Sequence, residues 1–112
     1  MRALTQVADH PILQGVPTSE FRVFGSLYRN TPLHTRAAPL MMGRIPGVKQ
    51  EEPVAWTHQR PHGGRVFYTS LGHPKTFEVP AFRQLLRNAT YWAAGLPVPA
   101  LPKRLQQKTS SR

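Results

Sequence analysis

Twelve prolines in 112 residues constrain this chain more than any other feature. Each fixes φ near about −65° and removes a backbone donor. Regular structure is therefore confined to the intervals between prolines, and only about half the chain is expected to be helix or strand. The length allows one small domain, which buries roughly 60–70% of its unfolded surface.

One interval carries a helical period. Pro80 suits a first helical position, and Phe82, Leu85, Leu86, Ala89, Trp92 and Ala93 follow at i, i+3, i+4, i+7 spacing. Arg83, Gln84, Arg87 and Asn88 take the opposite face, Gly95 ends the helix, and Pro97 prevents its continuation. The strand signals lie upstream. Phe21, Val23, Leu27 and Tyr28 read as a weak extended stretch interrupted at Gly25-Ser26. Pro39-Leu40-Met41-Met42-Gly43 is a compact apolar run, and Pro53 to His58 is a second strand. The strongest strand is Arg65 to Leu71, joined to the preceding one through Gly63-Gly64 as a hairpin. After Gly95, Leu96 to Pro102 reads as a polyproline-type spacer and 103–112 as a disordered basic tail.

These elements do not balance. Leu40-Met41-Met42 and Val66-Phe67-Tyr68 read as buried on both faces, yet one helix covers only one face of a sheet. The expected fold is therefore α/β: part of a three-layer sandwich with a few strands and one C-terminal amphipathic helix, completed by the remainder of a larger domain or by a partner. The rival is an independent α+β domain with an exposed apolar sheet face.

The chain carries fifteen Lys or Arg against five Asp or Glu, a formal +10. Such a balance suits anionic partners. However, the basic residues are spread almost evenly and do not alternate with aromatics, which argues against a nucleic-acid interface. No apolar run reaches the length of a membrane helix, and Met1-Arg2-Ala3-Leu4-Thr5 lacks a signal-peptide core, so a complete chain would be cytoplasmic. The absence of cysteine excludes zinc-thiolate fingers, disulfides and thiol nucleophiles.

Candidate chemistry rests on histidines. His34, His58 and His62 read as solvated loop residues, with no metal-ligand spacing. His73 follows the best strand directly and should project from its carboxyl end, where ligands bind in open α/β sheets. There it would transfer protons near neutral pH or else cap the loop before Pro80. His10 is the second catalytic candidate, with Asp9 placed to orient it or to cap a turn. Tyr28 is a candidate to hydrogen-bond a sugar hydroxyl. Neither a P-loop nor a dinucleotide fingerprint is present, and no cofactor or metal is expected.

Several blocks occur in a recognisable order: Asp9-His10-Pro11-Ile12, Leu27-Tyr28, Pro53-Val54-Ala55-Trp56, Gly64 to His73 reading Gly-Arg-Val-Phe-Tyr-Thr-Ser-Leu-Gly-His, Pro80-Ala81-Phe82, and Trp92-Ala93-Ala94-Gly95. Over about residues 7–95 the chain resembles the trehalose-utilisation, or ThuA-like, family. The resemblance implies a class I glutamine amidotransferase-like sandwich of which this is the C-terminal half. It also implies a role in using trehalose or related keto-disaccharides. In amidotransferases a similar His-Pro-Glu serves a cysteine; here His73-Pro74-Lys75 has no such Glu, and the chain has no cysteine. Relatives often carry an acidic pair before the tyrosine, where this chain has Gly25-Ser26. A sugar substrate, the remaining half of the domain or a second copy are the expected partners.

Overall fold

The computed structural model describes residues 1–17 and 19–100. Its four strands, β1 (Arg2–Ala3), β2 (Ala37–Gly43), β3 (Glu52–Gln59) and β4 (Arg65–Thr69), form one antiparallel sheet in the order β1-β2-β3-β4. One helix, α1 (Pro80–Ala93), follows. The result is a mixed α/β fold with two layers of a partial sandwich. Residues 96–100 carry no helix or strand, and the expected disordered tail lies outside the described residues.

Prolines inside strands leave a mark on the register. Pro39 and Pro53 lie in paired strands without a donor to contribute, and the β2–β3 ladder shifts between Pro39 and Met41 and again between Met41 and Met42, the partner of Pro53. The extra residue at each shift lets consecutive side chains point inward. Leu40 and Met41 are both fully buried, as are Val54 and Ala55.

The β3–β4 hairpin has the expected form, with Arg60 N donating to Gly64 O at 2.8 Å across the turn. Cross-strand partners share a face, so Ala55, Thr57, Gln59, Arg65, Phe67 and Thr69 lie together. This is the helix side, because the Arg65 guanidinium sits 4.9 Å from the Trp92 ring and donates to Trp92 O. The other face carries Trp56 stacked on Tyr68 at 4.5 Å, with His58 beside Val66. Here the expectation of a doubly buried strand needs correction: Tyr68 is 52% exposed and Val66 38%. Consecutive burial is limited to β2 and the first half of β3, where the register shifts turn neighbouring side chains inward. Apolar composition concealed this, because a hairpin edge strand with one wet face can contain the same residues.

The stretch from Phe21 to Tyr28 forms no strand. It runs as irregular chain against Val54, Gly43 and Leu71, at the end of the sheet where β3 begins and β4 stops. Its far end is fixed by Glu52, whose buried carboxylate accepts from Asn30 N, Thr31 N, the Thr31 hydroxyl and Gln50. Those donors, the Asn30 amide foremost, hold its pKa below the usual carboxylate value.

The helix packs as expected through Phe82, Leu85, Ala89 and Trp92, all buried. Asn88 departs from the expected polar face and is fully buried. Its Nδ2 donates to Ile12 O at 2.8 Å and Gln14 O at 2.7 Å, while its Oδ1 accepts from Gln84 and Arg87. Those bonds dock the N-terminal segment on the helix. Gly95, at φ 76°, closes the helix, with Leu96 N donating to Tyr91 O and Gly95 N to Trp92 O.

Candidate functional site

A cleft of about 650 Å³ lies between the 20–27 segment and the sheet end. Its walls include Phe21, Phe24, Leu27, Ile45, Val54 and Leu71, with Gly25 and Ser26 on one side. Among the described residues the only acid lining it is Glu20, which forms a two-pronged ion pair with Arg44 at 3.0 and 3.1 Å. The cleft is apolar with a charged rim, and it contains no pair of free carboxylates.

His73 is not among the residues lining this cleft; it lies against Phe24 and Gly25, which are. The strands are antiparallel, so they share no carboxyl edge, and the rule for open parallel sheets does not place it there. Its position follows from contacts. The ring lies 6.2 Å from that of Phe24, and a Cβ added to Gly25 would come 3.1 Å from His73 Cβ. His73 is exposed and caps the short turn Pro74–Glu78, its Nδ1 accepting from Lys75 N at 3.1 Å. The neutral ring therefore carries its proton on Nε2, which has no protein partner among the described residues. As held, His73 is a hydrogen-bond donor.

His10 lies elsewhere. It caps the turn Pro11–Leu13 through the same bond, Nδ1 from Ile12 N at 3.1 Å, and packs on Trp92 at 5.4 Å. Asp9 does not cap that turn; the imidazole does. Burial, and then the nearby Arg65, hold the His10 pKa below the ordinary 6.5. Trp92 and Arg65 put His10 at the C-terminal end of α1 and the start of β4, whereas His73 follows the end of β4 and precedes α1. The structure does not bring the two histidines together. Tyr28 is 60% exposed and is not among the residues lining the cleft. His34 and His58 meet edge to face at 5.2 Å, and His58 belongs to β3 rather than to a loop.

Sequence reading missed two residues. Thr76 is fully buried, and its hydroxyl accepts from Phe24 N at 3.0 Å and donates to Phe24 O at 2.9 Å. Nothing in His73-Pro74-Lys75-Thr76 marks it as buried. Glu52 lies outside the strand read from Pro53 to His58, yet it opens β3 and is buried. Among the described residues no three His, Asp or Glu side chains group to hold a metal, and no helix is long and apolar enough to cross a membrane.

No curated protein and no solved structure matches the chain. The family model described as trehalose utilisation, ThuA, matches residues 1–93. That span covers every strand, the cleft and α1, and the chain belongs to the ThuA family.

Proposed function

We propose that this chain serves carbohydrate utilisation by binding trehalose or a related keto-disaccharide in the 650 Å³ cleft. The observation that carries this reading is the meeting of distant segments: Gly25 and Ser26 line the cleft, and His73, outside its lining, lies against Gly25. Nε2–H of His73 suits a hydroxyl or keto oxygen, and the apolar walls suit the carbon faces of a sugar ring. General acid–base work is poorly served, because Glu20 is engaged by Arg44 and Nδ1 of His73 by Lys75. On this reading the chain binds sugar without turning it over. Turnover would need carboxylates from the remaining half of a glutamine amidotransferase-like sandwich or from a second copy.

Isothermal titration with trehalose and with keto-disaccharides, on this chain and on the chain joined to any encoded upstream half, tests the proposal. Saturable heat that is lost in His73→Ala supports it. No heat from either protein with any of these sugars refutes it. A second reading, a non-catalytic interaction module, is favoured by the open Trp56–Tyr68 face. It requires association in size-exclusion chromatography, and a well-behaved monomer rules it out.

A further inference from the structure

A second hollow, of about 440 Å³, adjoins the cleft. The two share Glu20 and Arg44, so that ion pair is the wall between them. The charged side chains lining the cleft and the hollow are four cations, Arg2, Arg22, Arg44 and Lys49, and two acids, Glu20 and Glu51. Each acid is taken by one arginine, Glu20 by Arg44 and Glu51 by Arg2, through Nε and Nη2 in both cases. Arg22 on the cleft side and Lys49 on the hollow side have no acid partner among the described residues. Nη1 of Arg44 likewise has no protein acceptor among them.

We propose that the ligand of the cleft is anionic: a sugar phosphate, its carbon framework against the apolar walls and its phosphate on the rim at Arg22 and Arg44. This rests on the reading of the cleft as a sugar site and names the class of sugar. A neutral disaccharide would use the apolar walls but leave the spare cations uncompensated. A phosphate ester carries a charge of about −1.5 to −2 at neutral pH and three acceptor oxygens, which matches two unpaired cations better than the single charge of a carboxylate. A guanidinium offers donors on all three of its nitrogens, and Glu20 occupies only Nε and Nη2 of Arg44, so Arg44 can meet the phosphate through Nη1 while keeping its acid. The Glu20–Arg44 pair is also solvent-exposed, and pairs of that kind contribute little to stability, so rearranging it around a ligand costs little. Lys49, beyond the shared wall, adds its field to the same rim.

Isothermal titration of the full chain with trehalose, a monophosphate ester of trehalose and inorganic phosphate tests the proposal. The phosphorylated sugar should bind about tenfold or more tighter than trehalose, the effect of one charge-assisted contact, and tighter than inorganic phosphate. That preference should fall toward one in Arg22→Gln. Arg60→Gln removes an equal charge from the hairpin turn at the opposite end of β3 and β4, and should keep it. Equal affinities for the two sugars overturn the proposal and leave the sugar reading of the cleft standing, whereas heat from neither sugar ends both. Binding of the phosphorylated sugar alone supports the proposal. An unchanged preference in Arg22→Gln, or an equal loss in Arg60→Gln, overturns it, the second outcome assigning the preference to net charge. Inorganic phosphate binding as tightly as its sugar ester also overturns it, because the sugar would then make no contact.

Discussion

Replacing Gly25 by alanine isolates the contact on which the cleft depends. Gly25 has φ 103°, outside the range that residues with a Cβ readily adopt, and the new Cβ would stand 3.1 Å from His73 Cβ. Backbone strain of this kind costs about 1–3 kcal/mol. Stiffening the unfolded chain returns about 0.4–1 kcal/mol. The expected net loss is about 1–2 kcal/mol, which at a urea m-value of about 1.5 kcal/mol/M lowers the denaturation midpoint by about 1 M. A double-mutant cycle separates the two sources. In a His73→Gly background the Cβ contact is gone, so alanine at position 25 should cost less, with the strain alone remaining. An unchanged midpoint for Gly25→Ala would refute the reasoning, because it would mean that the 24–27 segment is not held in this conformation. Gly25→Asp, which adds the same Cβ at the same positive φ, should cost at least as much as alanine.

Two further outcomes are expected. Asn88→Ala removes both donors to Ile12 O and Gln14 O within a fully buried site, and should cost about 2–4 kcal/mol in thermal or urea unfolding, whereas Gln84→Ala, which leaves those two bonds in place, should cost less than about 1 kcal/mol. The His10 pKa is lowered in the folded state by burial and Arg65, so its contribution is complete above the ordinary 6.5 and declines as pH falls from there toward the folded value; unfolding free energies measured against pH should show this slope, and His10→Asn, which keeps a capping acceptor, should abolish it.

The helix, the hairpin and the buried β2 run were legible because each rests on local chemistry: Pro80 and Gly95 at the helix ends, a Gly-Gly turn, and apolar residues between prolines. What could not be read depends on contacts between distant segments. Asn88 looks polar on a helical wheel, and only the carbonyls of Ile12 and Gln14 make its burial favourable. Tyr68 and Val66 look like core, but among the described residues no second element covers their face of β4, and they are exposed. The 20–27 cleft wall carries only a short alternation, with Phe21 and Val23 turned to the core. It is held at Phe24 by Thr76 and at its far end by Glu52, and neither distant partner is marked in the local pattern.

The histidines show where sequence reasoning and geometry part. Position after a strand suggested proton transfer for His73, with capping as its alternative. A His-Pro pair favours capping for a physical reason. The residue before proline is held extended, and His10 and His73 have ψ of 135° and 136°. Proline itself offers no amide, so the next N–H is the first in need of an acceptor, and Nδ1 lies 3.1 Å from it in both cases. An imidazole used in this way can give the Nε2 proton to a hydrogen bond, but it cannot take up another without dismantling its own turn. With Nδ1 accepting from Lys75 N, the geometry assigns His73 to capping its turn, and what the neutral ring has left to offer is its Nε2–H as a donor.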